Sequence, residues 1–537
     1  MCKRRAKKSP SSASELGLDQ VGGVFVVLLA GMAAACAVAI AEFAWRARRL
    51  DPTTQRFRVL QGLGYRVPPH SFLYGHADRL LGRSGLDEAR RLLAEYGVRY
   101  GRRGATMAVY VGATPHLWTT DPDLIHELCV RRADQFPDRP ANASPLTDEL
   151  QQTLLTLKGA RWRRVRSVLS PAFTAAKLRG MAPLMADATG TFLQLLEEDR
   201  AAGRASDFYS GFQQLTLEVI CRAALAMDVR CQRDTRHPLV QTVSALVAGV
   251  PLVARLRQLQ PLTGLVRPLL RALGATGRLV RHNETMAAWL RGVVAHREAA
   301  AAGPETALPK DVLQLLLDAR RSSADREPLS EDELISNAFI FVLAGYETTR
   351  TALSFTSYLL AAHPAVQQRL AAEVTEQLTA GPDGELDCEQ VLSLPYLEQV
   401  VQESLRLFPP IPAMFGRRVA RPAEVGGVHV PAGAVVSVSV FCLHRDPELW
   451  PEPERFDPER FSAAGRARQQ PGAHLPFGLG PRHCIGSRFA LLQMKLVLCH
   501  LLRRYRLLPP LEPLEPVLAA PSLAPASGKI ELRVEPR

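Results

Sequence analysis

The sequence contains few cysteines, and their distribution excludes a small secreted fold stabilised by disulfides. Nine cysteines are scattered over 537 residues, an odd number without the close spacing of a disulfide framework. They are typical of reduced thiols in a protein whose body faces the cytosol. The chain also lacks internal repeats and interior linkers, so we predict one large domain with ample material for a hydrophobic core.

Aromatic residues are scarce, and acidic residues are fewer than basic ones. Aromatics make up 6% of the chain, and 66 Lys and Arg against 53 Asp and Glu give a net charge of +13. A basic protein favours acidic partners, but no nucleic-acid-binding motif or aromatic platform is present, so we expect no nucleic-acid partner. Hydrophobic residues at 47% and charged residues at 22% exclude a disordered or collagen-like chain.

One long hydrophobic run lies near the N-terminus. Residues 21–41 contain no charge and no proline, which is enough for a helix across a ~30 Å hydrocarbon core. A cleaved signal peptide, whose apolar region is usually shorter, and a buried core helix are the alternatives. The charged flanks slightly favour a cytosolic N-terminus. The reduced cysteines favour a cytosolic C-terminal body instead, and we follow that second indication.

This interpretation divides the chain into four parts. We predict a basic N-terminal tail at 1–19, a transmembrane anchor at 20–43, a linker with a Pro-rich hinge at 44–70, and one large domain at 71–537. A single-pass protein with this domain in the cytosol follows from this division.

Helical periodicity dominates the rest of the chain. Apolar residues three and four apart predict amphipathic helices at 86–96, 123–132, 181–199 and 212–226. Short alternating runs predict strands at 106–111, 428–430 and 434–440. The predicted fold class is therefore mainly α with small β-sheets.

The most specific pattern is a glycine-rich loop with the sequence FGLGPRHCIG, which contains Cys484 just before a helical run at 489–502. A thiolate at a helix N-terminus, among cations and backbone N–H groups, is expected to have a lowered pKa, as a metal ligand requires. Gly480 and Gly486 are expected to leave room for a flat macrocycle beside the backbone. The alternative for any cysteine is an inert buried thiol, which we expect of the other eight.

This loop resembles the haem-binding loop of the cytochromes P450. The resemblance implies that Cys484 is the axial ligand of the haem iron and that Phe477 and Arg482 belong to the haem site. It extends over nearly all of the chain that follows the hydrophobic run. It therefore implies the cytochrome P450 fold, a haem b cofactor (iron protoporphyrin IX) and an enzyme.

Two other segments resemble the structural network of that family. Glu403 and Arg406 lie three residues apart on a predicted helix, where they can pair on one face, and they resemble the family's ExxR motif. A weak surface ion pair is the alternative for these two residues alone. The string PERF occurs twice, and the family pattern, with a Phe two residues before the PERF proline, selects Arg460 as the second arginine. The resemblance implies that the three residues fix the haem loop.

The sequence AGYETT at 344–349 lies inside a long predicted helix. Ser330 and Glu333 form a capping box at its start, and Pro364 ends it. Glycine and threonine are poor helix formers, and a threonine hydroxyl there can bond the carbonyl four residues back. A tolerated kink is the alternative interpretation. The segment resembles the oxygen-activation groove of the family, which implies that Thr348 and Glu347 relay protons.

Several arginines resemble the family's ligands of the haem propionates. Trp162 and Arg166 match its WxxxR helix, and Arg418 and Arg482 are further candidates for charge-assisted contacts with a carboxylate. Any one of these could instead be a surface arginine. The basic cluster at 161–166 and the basic loop indicate an acidic docking partner, which for this family implies a reductase.

Within the family, the chain resembles the animal microsomal branch that contains the 3A-type monooxygenases and thromboxane-A synthase. Residues 162–173 and 339–355 resemble both groups. Residues 484–495 resemble the 3A type, whereas 394–397 and 461–470 resemble thromboxane synthase. That enzyme isomerises prostaglandin H2 without reductase or dioxygen, and its mammalian members resemble AGYEII where this chain keeps two threonines.

The retained threonines favour an oxygen-activating enzyme. We expect a monooxygenase of the endoplasmic reticulum membrane that inserts one oxygen atom from O2 into an apolar lipid, steroid or xenobiotic, with electrons from NADPH–cytochrome P450 reductase. Its partners are then that reductase, the substrate and membrane lipid. The alternatives are an isomerase of the thromboxane-A synthase type and a non-catalytic haem or scaffold protein, which would be expected to lose some of these residues.

Overall fold

The computed structural model describes most of the chain from residue 58 onwards, with some gaps. It describes residues 58–70, 75–80, 82–100, 103–112, 114–140, 150–234, 236–258, 277–301, 311–321, 328–379, 381, 386–519 and 522–537. The predicted tail and anchor lie outside these residues. Within the ranges given, no helix is both long and apolar enough to cross a lipid bilayer. Residues Val59–Arg537 form one compact unit.

Helices make up most of this unit, which confirms the predicted fold class. The α-helices that we refer to are Ala77–Leu80 (α1), Gly85–Tyr96 (α2), Pro122–His126 (α3), Gly159–Leu169 (α4), Ala175–Ala201 (α5), Phe208–Leu225 (α6), Pro238–Gln258 (α7), Gly277–Ala301 (α8), Val312–Arg321 (α9), Glu331–Ala362 (α10), Pro364–Gln377 (α11), Cys388–Ser393 (α12), Pro395–Leu407 (α13), Val440–Leu443 (α14), Ala463–Arg468 (α15) and Ser487–Arg504 (α16). A π-helix at Glu127–Arg131 continues α3, and 3₁₀ turns lie at Ser170–Phe173 and Pro458–Phe461.

The strands are short and form one larger sheet and several two-stranded pairs. They are Thr106–Val111 (β1), Thr114–Thr119 (β2), Ser206–Asp207 (β3), Met414–Arg418 (β4), Ala423–Val425 (β5), Val428–Val430 (β6), Val435–Val438 (β7), Tyr505–Leu507 (β8), Pro516–Ala519 (β9), Ser522–Pro525 (β10), Glu531–Leu532 (β11) and Val534–Pro536 (β12). The larger sheet has the order β1-β2-β7-β4, with β2 and β7 parallel and the other neighbours antiparallel. The predicted strand at 434–440 is shorter than expected, because the chain turns into α14 at Val440.

The central helix α10 begins and ends where the sequence predicts. Ser330 Oγ accepts a hydrogen bond from the backbone N–H of Glu333, and a Glu333 carboxylate oxygen accepts one from the N–H of Ser330. This capping box satisfies N–H groups that have no partner inside the helix. The helix then runs to Ala362, just before Pro364. It packs against α6, α13 and α16 in the largest hydrophobic core, so its residues reach the middle of the molecule.

Candidate active site

The cysteine loop is held by backbone hydrogen bonds at both ends. The N–H of Cys484 donates to the carbonyl of Phe477 at 2.9 Å, and the N–H of Gly478 donates to the carbonyl of Leu475 at 3.1 Å. Gly478 has φ +74°, a left-handed conformation that favours glycine. Helix α16 begins at Ser487, so Cys484 lies just before the first turn of that helix.

The structure corrects the role predicted for Gly480. A Cβ atom at this glycine, whose φ is +73°, would lie 1.8 Å from the carbonyl oxygen of Cys129 in the π-helix. Gly480 therefore allows close packing of the loop against that helix, and it is not among the residues that line the cavity beside Cys484. Gly478 and Gly486 do line the cavity, as predicted for Gly486.

Cys484 is the one exposed cysteine among those that the structure describes; the other six are buried, in agreement with the prediction. Its side chain is accessible because it faces an internal cavity, while protein atoms surround it on the other sides. Burial raises the pKa of the Cys484 thiol, and the backbone N–H of Gly486 and the charges of Arg166 and Arg139 only partly oppose this effect. The predicted lowering of this pKa is therefore wrong for the protein chain by itself.

Four arginines line the cavity near this loop: Arg139, Arg166, Arg417 and Arg482. Burial lowers the pKa of Arg139 to about 9, with further lowering from Arg417 and Arg482. Burial likewise lowers the pKa of Arg482 to about 10, and its positive neighbours add to the effect. Burial and the repulsion between neighbouring arginines both disfavour the charged guanidinium groups, and an anionic ligand beside them would offset both effects.

Arg482 and Trp162 are in contact beside the cysteine loop. The Arg482 guanidinium lies over the Trp162 ring at 3.9 Å from its centroid. It donates hydrogen bonds to the carbonyls of Pro137 and Leu157 and forms an ion pair with Asp138 at 3.3 Å. Arg166 lies on helix α4, and its Nη1 atom donates a hydrogen bond to the carbonyl of His483 at 3.1 Å. These contacts fix both arginines beside the cysteine loop.

Arg418 does not reach the cavity. It is exposed, whereas the adjacent Arg417 is buried and lines the cavity, with one Nη atom that has no hydrogen-bond partner among the described residues. The pairing of β4 with β7 is irregular between Met414 and Arg417, as in a β-bulge. Such a bulge changes which face of the strand a side chain occupies. Arg417, and not the predicted Arg418, is therefore placed to contact a propionate.

Helix α10 contributes an acid and a hydroxyl to the same cavity. Thr348 and Glu347 both line it. The Thr348 hydroxyl donates to the carbonyl of Ala344 at 2.8 Å, the bond to the residue four positions back that the sequence predicts. One carboxylate oxygen of the buried Glu347 accepts a hydrogen bond from Arg350 at 2.6 Å, while its Oε2 atom has no partner within the described residues.

Arg350 is itself held by helix α6. Its guanidinium donates to Gln213 at 2.9 Å and to the Tyr209 hydroxyl at 2.8 Å, and it lies over the Tyr209 ring. Their spacing of three residues lets Arg350 pair with Glu347 on one face of α10, but nothing in the local sequence shows that this pair is buried. The Glu347 carboxylate is therefore fixed by a buried ion pair that only the packing of α6 on α10 reveals.

Part of the cavity wall is apolar. It is formed by Ile340, Phe341 and Leu343 of α10, Ile220 of α6, and Val247 and Val250 of α7. Phe341 stacks on Phe173 with ring centroids 5.8 Å apart. Within the described lining, Glu347 is the only charged side chain on α10, so this wall fits an uncharged apolar molecule.

The predicted network around Glu403 is present in full. Arg406 binds both carboxylate oxygens of Glu403, at 2.7 and 2.9 Å, and both side chains have no exposed surface. Arg460 approaches the same carboxylate at 3.4 Å, whereas Arg455 of the first PERF string is largely exposed and pairs with Glu452. Arg460, and not Arg455, thus has the geometry expected for the second arginine.

These residues fit a haem. The arginine cluster beside the loop matches two propionates, the accessible Cys484 sulfur matches an iron ligand, and the apolar lining matches the macrocycle. Phe477, predicted to belong to the haem site, lines the same cavity. Sequence reasoning missed Arg139 because only the folded chain brings it to the carbonyl of Arg482, and it missed Arg417 because the pairing of β4 with β7 is irregular.

Comparisons with known proteins agree with this site. The Cytochrome P450 family profile matches residues 85–534. The chain is 35% identical to thromboxane-A synthase of Rattus norvegicus over 84% of its length and 88% of the relative's. It is 34% identical to thromboxane-A synthase of Sus scrofa, over 84% and 88% of the two chains. It is also 32% identical to cytochrome P450 3A29 of Sus scrofa, over 85% and 88%.

Proposed function

This chain belongs to the cytochrome P450 family and is an enzyme with haem b as its cofactor, and from that premise we propose that it is a membrane-anchored monooxygenase. It would insert one oxygen atom from O2 into an apolar lipid, steroid or xenobiotic, with electrons from NADPH–cytochrome P450 reductase. The observation that carries this proposal is that Cys484, Thr348 and Glu347 line one cavity together with a set of apolar side chains.

The chain's own residues would hold the haem in three ways. Cys484 would ligate the iron, Arg139, Arg417 and Arg482 together with Arg166 would bind the propionates, and Trp162 would support Arg482 from behind. The network of Glu403, Arg406 and Arg460 would keep the loop in place. A haem ligated by the Cys484 thiolate would supply an electron-rich iron that favours cleavage of the O–O bond.

Thr348 and Glu347 would supply the protons that this reaction consumes. The Thr348 hydroxyl already donates to Ala344, so its oxygen is oriented to accept a hydrogen bond from a water molecule. Glu347 lines the cavity, and its buried Oε2 atom has no partner among the described residues, so this oxygen can accept or pass on a proton. An acid and a hydroxyl at neighbouring positions can act as a relay from the interior of the protein.

The apolar wall would orient an uncharged substrate and exclude bulk water from the reaction. A fatty-acid carboxylate would meet no cation on the described part of that wall, because the arginines of the cavity lie beside the cysteine loop. An anionic substrate is therefore a poorer fit than a neutral one.

We place the enzyme in the endoplasmic reticulum membrane as a single-pass protein with a cytosolic catalytic domain. The hydrophobic run at 21–41 and the relatives among the microsomal cytochromes support this location. Three of the four arginines in the basic cluster at 161–166, the predicted docking site, have contacts within the protein. Arg161 and Arg164 pair with Glu333, and Arg166 lines the cavity.

The second candidate is an isomerase of the thromboxane-A synthase type. The identity to thromboxane-A synthases, 35% and 34%, is slightly higher than the 32% to cytochrome P450 3A29. Such an enzyme would need the haem thiolate but not the proton relay, and retained threonines would not prevent isomerisation.

One experiment separates the two candidates. The haem-loaded protein is incubated with prostaglandin H2 in the absence of reductase and NADPH, and in parallel with neutral apolar substrates in the presence of both. Hydroxylated products that require reductase and NADPH, with no conversion of prostaglandin H2, are the expected result. Rapid formation of thromboxane with the C17 hydroxy acid would establish the isomerase instead.

A substitution tests the relay itself. Thr348→Ala should lower the amount of product formed per NADPH consumed by about tenfold to a hundredfold, because proton delivery fails while electron transfer continues. Thr375→Ala is the matched control, since Thr375 makes the same bond to the carbonyl four residues back in α11 and is not among the cavity residues. Equal coupling in both variants would remove Thr348 from the mechanism.

A further inference from the structure

His444 connects the Glu403–Arg406 network to the cysteine loop. Its side chain has no exposed surface. Its Nδ1 atom lies 3.1 Å from the carbonyl oxygen of Arg406, and its Nε2 atom accepts a hydrogen bond from the backbone N–H of Leu475 at 2.8 Å. The Arg406 guanidinium in turn donates to the carbonyl of His444 at 2.7 Å. The histidine is therefore bonded to the network through its ring and its backbone.

These contacts determine the tautomer of the ring. A backbone N–H can only donate, so Nε2 must be the unprotonated nitrogen, and the proton lies on Nδ1 and points to the carbonyl of Arg406. Burial, His474 and Arg406 hold the pKa of His444 well below its ordinary value, which keeps the ring in this neutral form. Both ring nitrogens are thus occupied by fixed backbone partners.

Leu475 lies at the start of the loop that ends at Cys484. Its carbonyl accepts from the N–H of Gly478, and the carbonyl of Phe477 accepts from the N–H of Cys484. Leu475 also lines the cavity. The position of the Leu475 N–H therefore sets where the turn begins, and the turn sets where the sulfur lies.

Packing alone does not account for this arrangement. His444 stacks on His474 at 5.1 Å between ring centroids and meets the edge of Trp450 at 6.5 Å. Another flat ring would preserve both contacts. Only a side chain with an acceptor at the place of Nε2 satisfies the buried N–H of Leu475, and an unpaired buried donor is costly.

We propose that His444 is a positioning residue that aligns the cysteine loop with the Glu403–Arg406 network through its bond to Leu475, so that Cys484 meets the iron as a thiolate. The inference rests on the proposed role of Cys484 as the iron ligand. It applies equally to a monooxygenase and to an isomerase, since both need the same ligand.

Three substitutions at one position test the bond. His444→Gln keeps an acceptor at the place of Nε2, His444→Asn keeps only a donor at the place of Nδ1, and His444→Phe keeps neither. His474→Phe is the matched control, because it changes the neighbouring ring of the same stack and leaves the bond to Leu475 intact. Each protein is brought to equal haem content, and the carbonyl complex of the reduced haem is recorded, whose long-wavelength Soret band is characteristic of thiolate ligation.

The expected result is a loss of that band in two of the variants and its retention in the other two. His444→Phe and His444→Asn should lower the ratio of thiolate-ligated to other haem roughly fivefold to tenfold, the size of effect expected when one buried N–H loses its partner. His444→Gln and His474→Phe should retain most of it. Equal spectra for the Gln, Asn and Phe variants, or the same loss in His474→Phe, would overturn the proposal. A wild-type protein without the band would overturn the role of Cys484 and this inference with it.

Discussion

Gly480 occupies a position in the cysteine loop that no residue with a side chain can fill without moving the helix behind it. The carbonyl of Cys129 lies where the Cβ would be, at 1.8 Å, and the backbone of Gly480 has φ +73°. The π-helix that carries Cys129 thereby supports the loop from the side away from the cavity. π-Helices are rare and occur often at functional sites.

Gly480→Ala should therefore destabilise the protein and reduce its haem content. We expect a loss of about 2–4 kcal/mol in the free energy of unfolding, from a positive φ and a clash with backbone. Gly433→Ala is the matched control, because Gly433 has φ +79° and an added Cβ would meet no described atom within 4 Å; it should cost about 1 kcal/mol. Equal losses in denaturant titrations of the two variants would mean that the contact with Cys129 is unimportant.

The Glu347–Arg350 ion pair is a second feature at the scale of single residues. Its side chains are 7% and 10% exposed. Arg350→Met should cost about 3–5 kcal/mol of unfolding free energy, because it leaves a buried carboxylate without its partner. The double variant Glu347→Gln, Arg350→Met should recover part of that loss.

An exposed ion pair provides the comparison for this prediction. Arg369 and Glu459 are 58% and 51% exposed, so Arg369→Met should cost less than about 1 kcal/mol. Denaturant titration of all variants measures the difference. A similar small loss for Arg350→Met would show that the buried pair does not hold Glu347 in place.

Among the elements, α10 is the one that local sequence determines most completely. Its capping box and the proline after its last residue are local signals, so the helix begins and ends where they predict. The bond of Thr348 to Ala344 is equally local. By contrast, Arg417 reaches the cavity instead of Arg418 because the pairing of β4 with β7 is irregular. This pairing depends on a strand that lies elsewhere in the chain, so the five residues of β4 alone do not predict it.

The N-cap of α10 can be tested directly. Ser330→Ala should lower the free energy of unfolding by about 1 kcal/mol, because the N–H of Glu333 loses its acceptor. Ser330→Asp should restore most of this loss, since aspartate accepts the same bond and its charge suits the helix N-terminus. Thermal unfolding of the three proteins gives the comparison. Equal losses for Ala and Asp would contradict the capping role.

At the scale of the whole molecule, the fold class and the cofactor could be predicted from the sequence, because the cysteine loop is specific and the helices are strongly periodic. The environment of each ionisable side chain could not be predicted in this way. The Cys484 thiol has a raised pKa because burial outweighs the nearby cations, and the sequence shows the cations but not the burial. Arg139 was missed for the same reason, since only the folded chain brings it to Arg482.

Burial also makes the stability of the molecule depend on pH. Burial lowers the pKa of His76 to about 4, with a smaller effect of His70, and holds that of His444 well below 6.5. In an unfolded chain both histidines take up protons near pH 6.5. The unfolded state therefore binds more protons as the pH falls below 6.5, and the free energy of unfolding falls by at most about 1.4 kcal/mol per pH unit for each histidine.

The haem-loaded protein should accordingly lose thermal stability between about pH 7 and pH 5, and replacing one of these histidines should make the loss less steep. His76→Gln removes a side chain that, between about pH 7 and pH 5, takes up a proton mainly in the unfolded chain. It also removes ring contacts with Pro68 and Tyr110, so the protein should be less stable at neutral pH but should lose less on acidification. His429→Gln, at an exposed position, should give a curve parallel to that of the wild type. Parallel curves for His76→Gln as well would mean that His76 takes up its proton without unfolding, and that the acid sensitivity of the fold arises elsewhere.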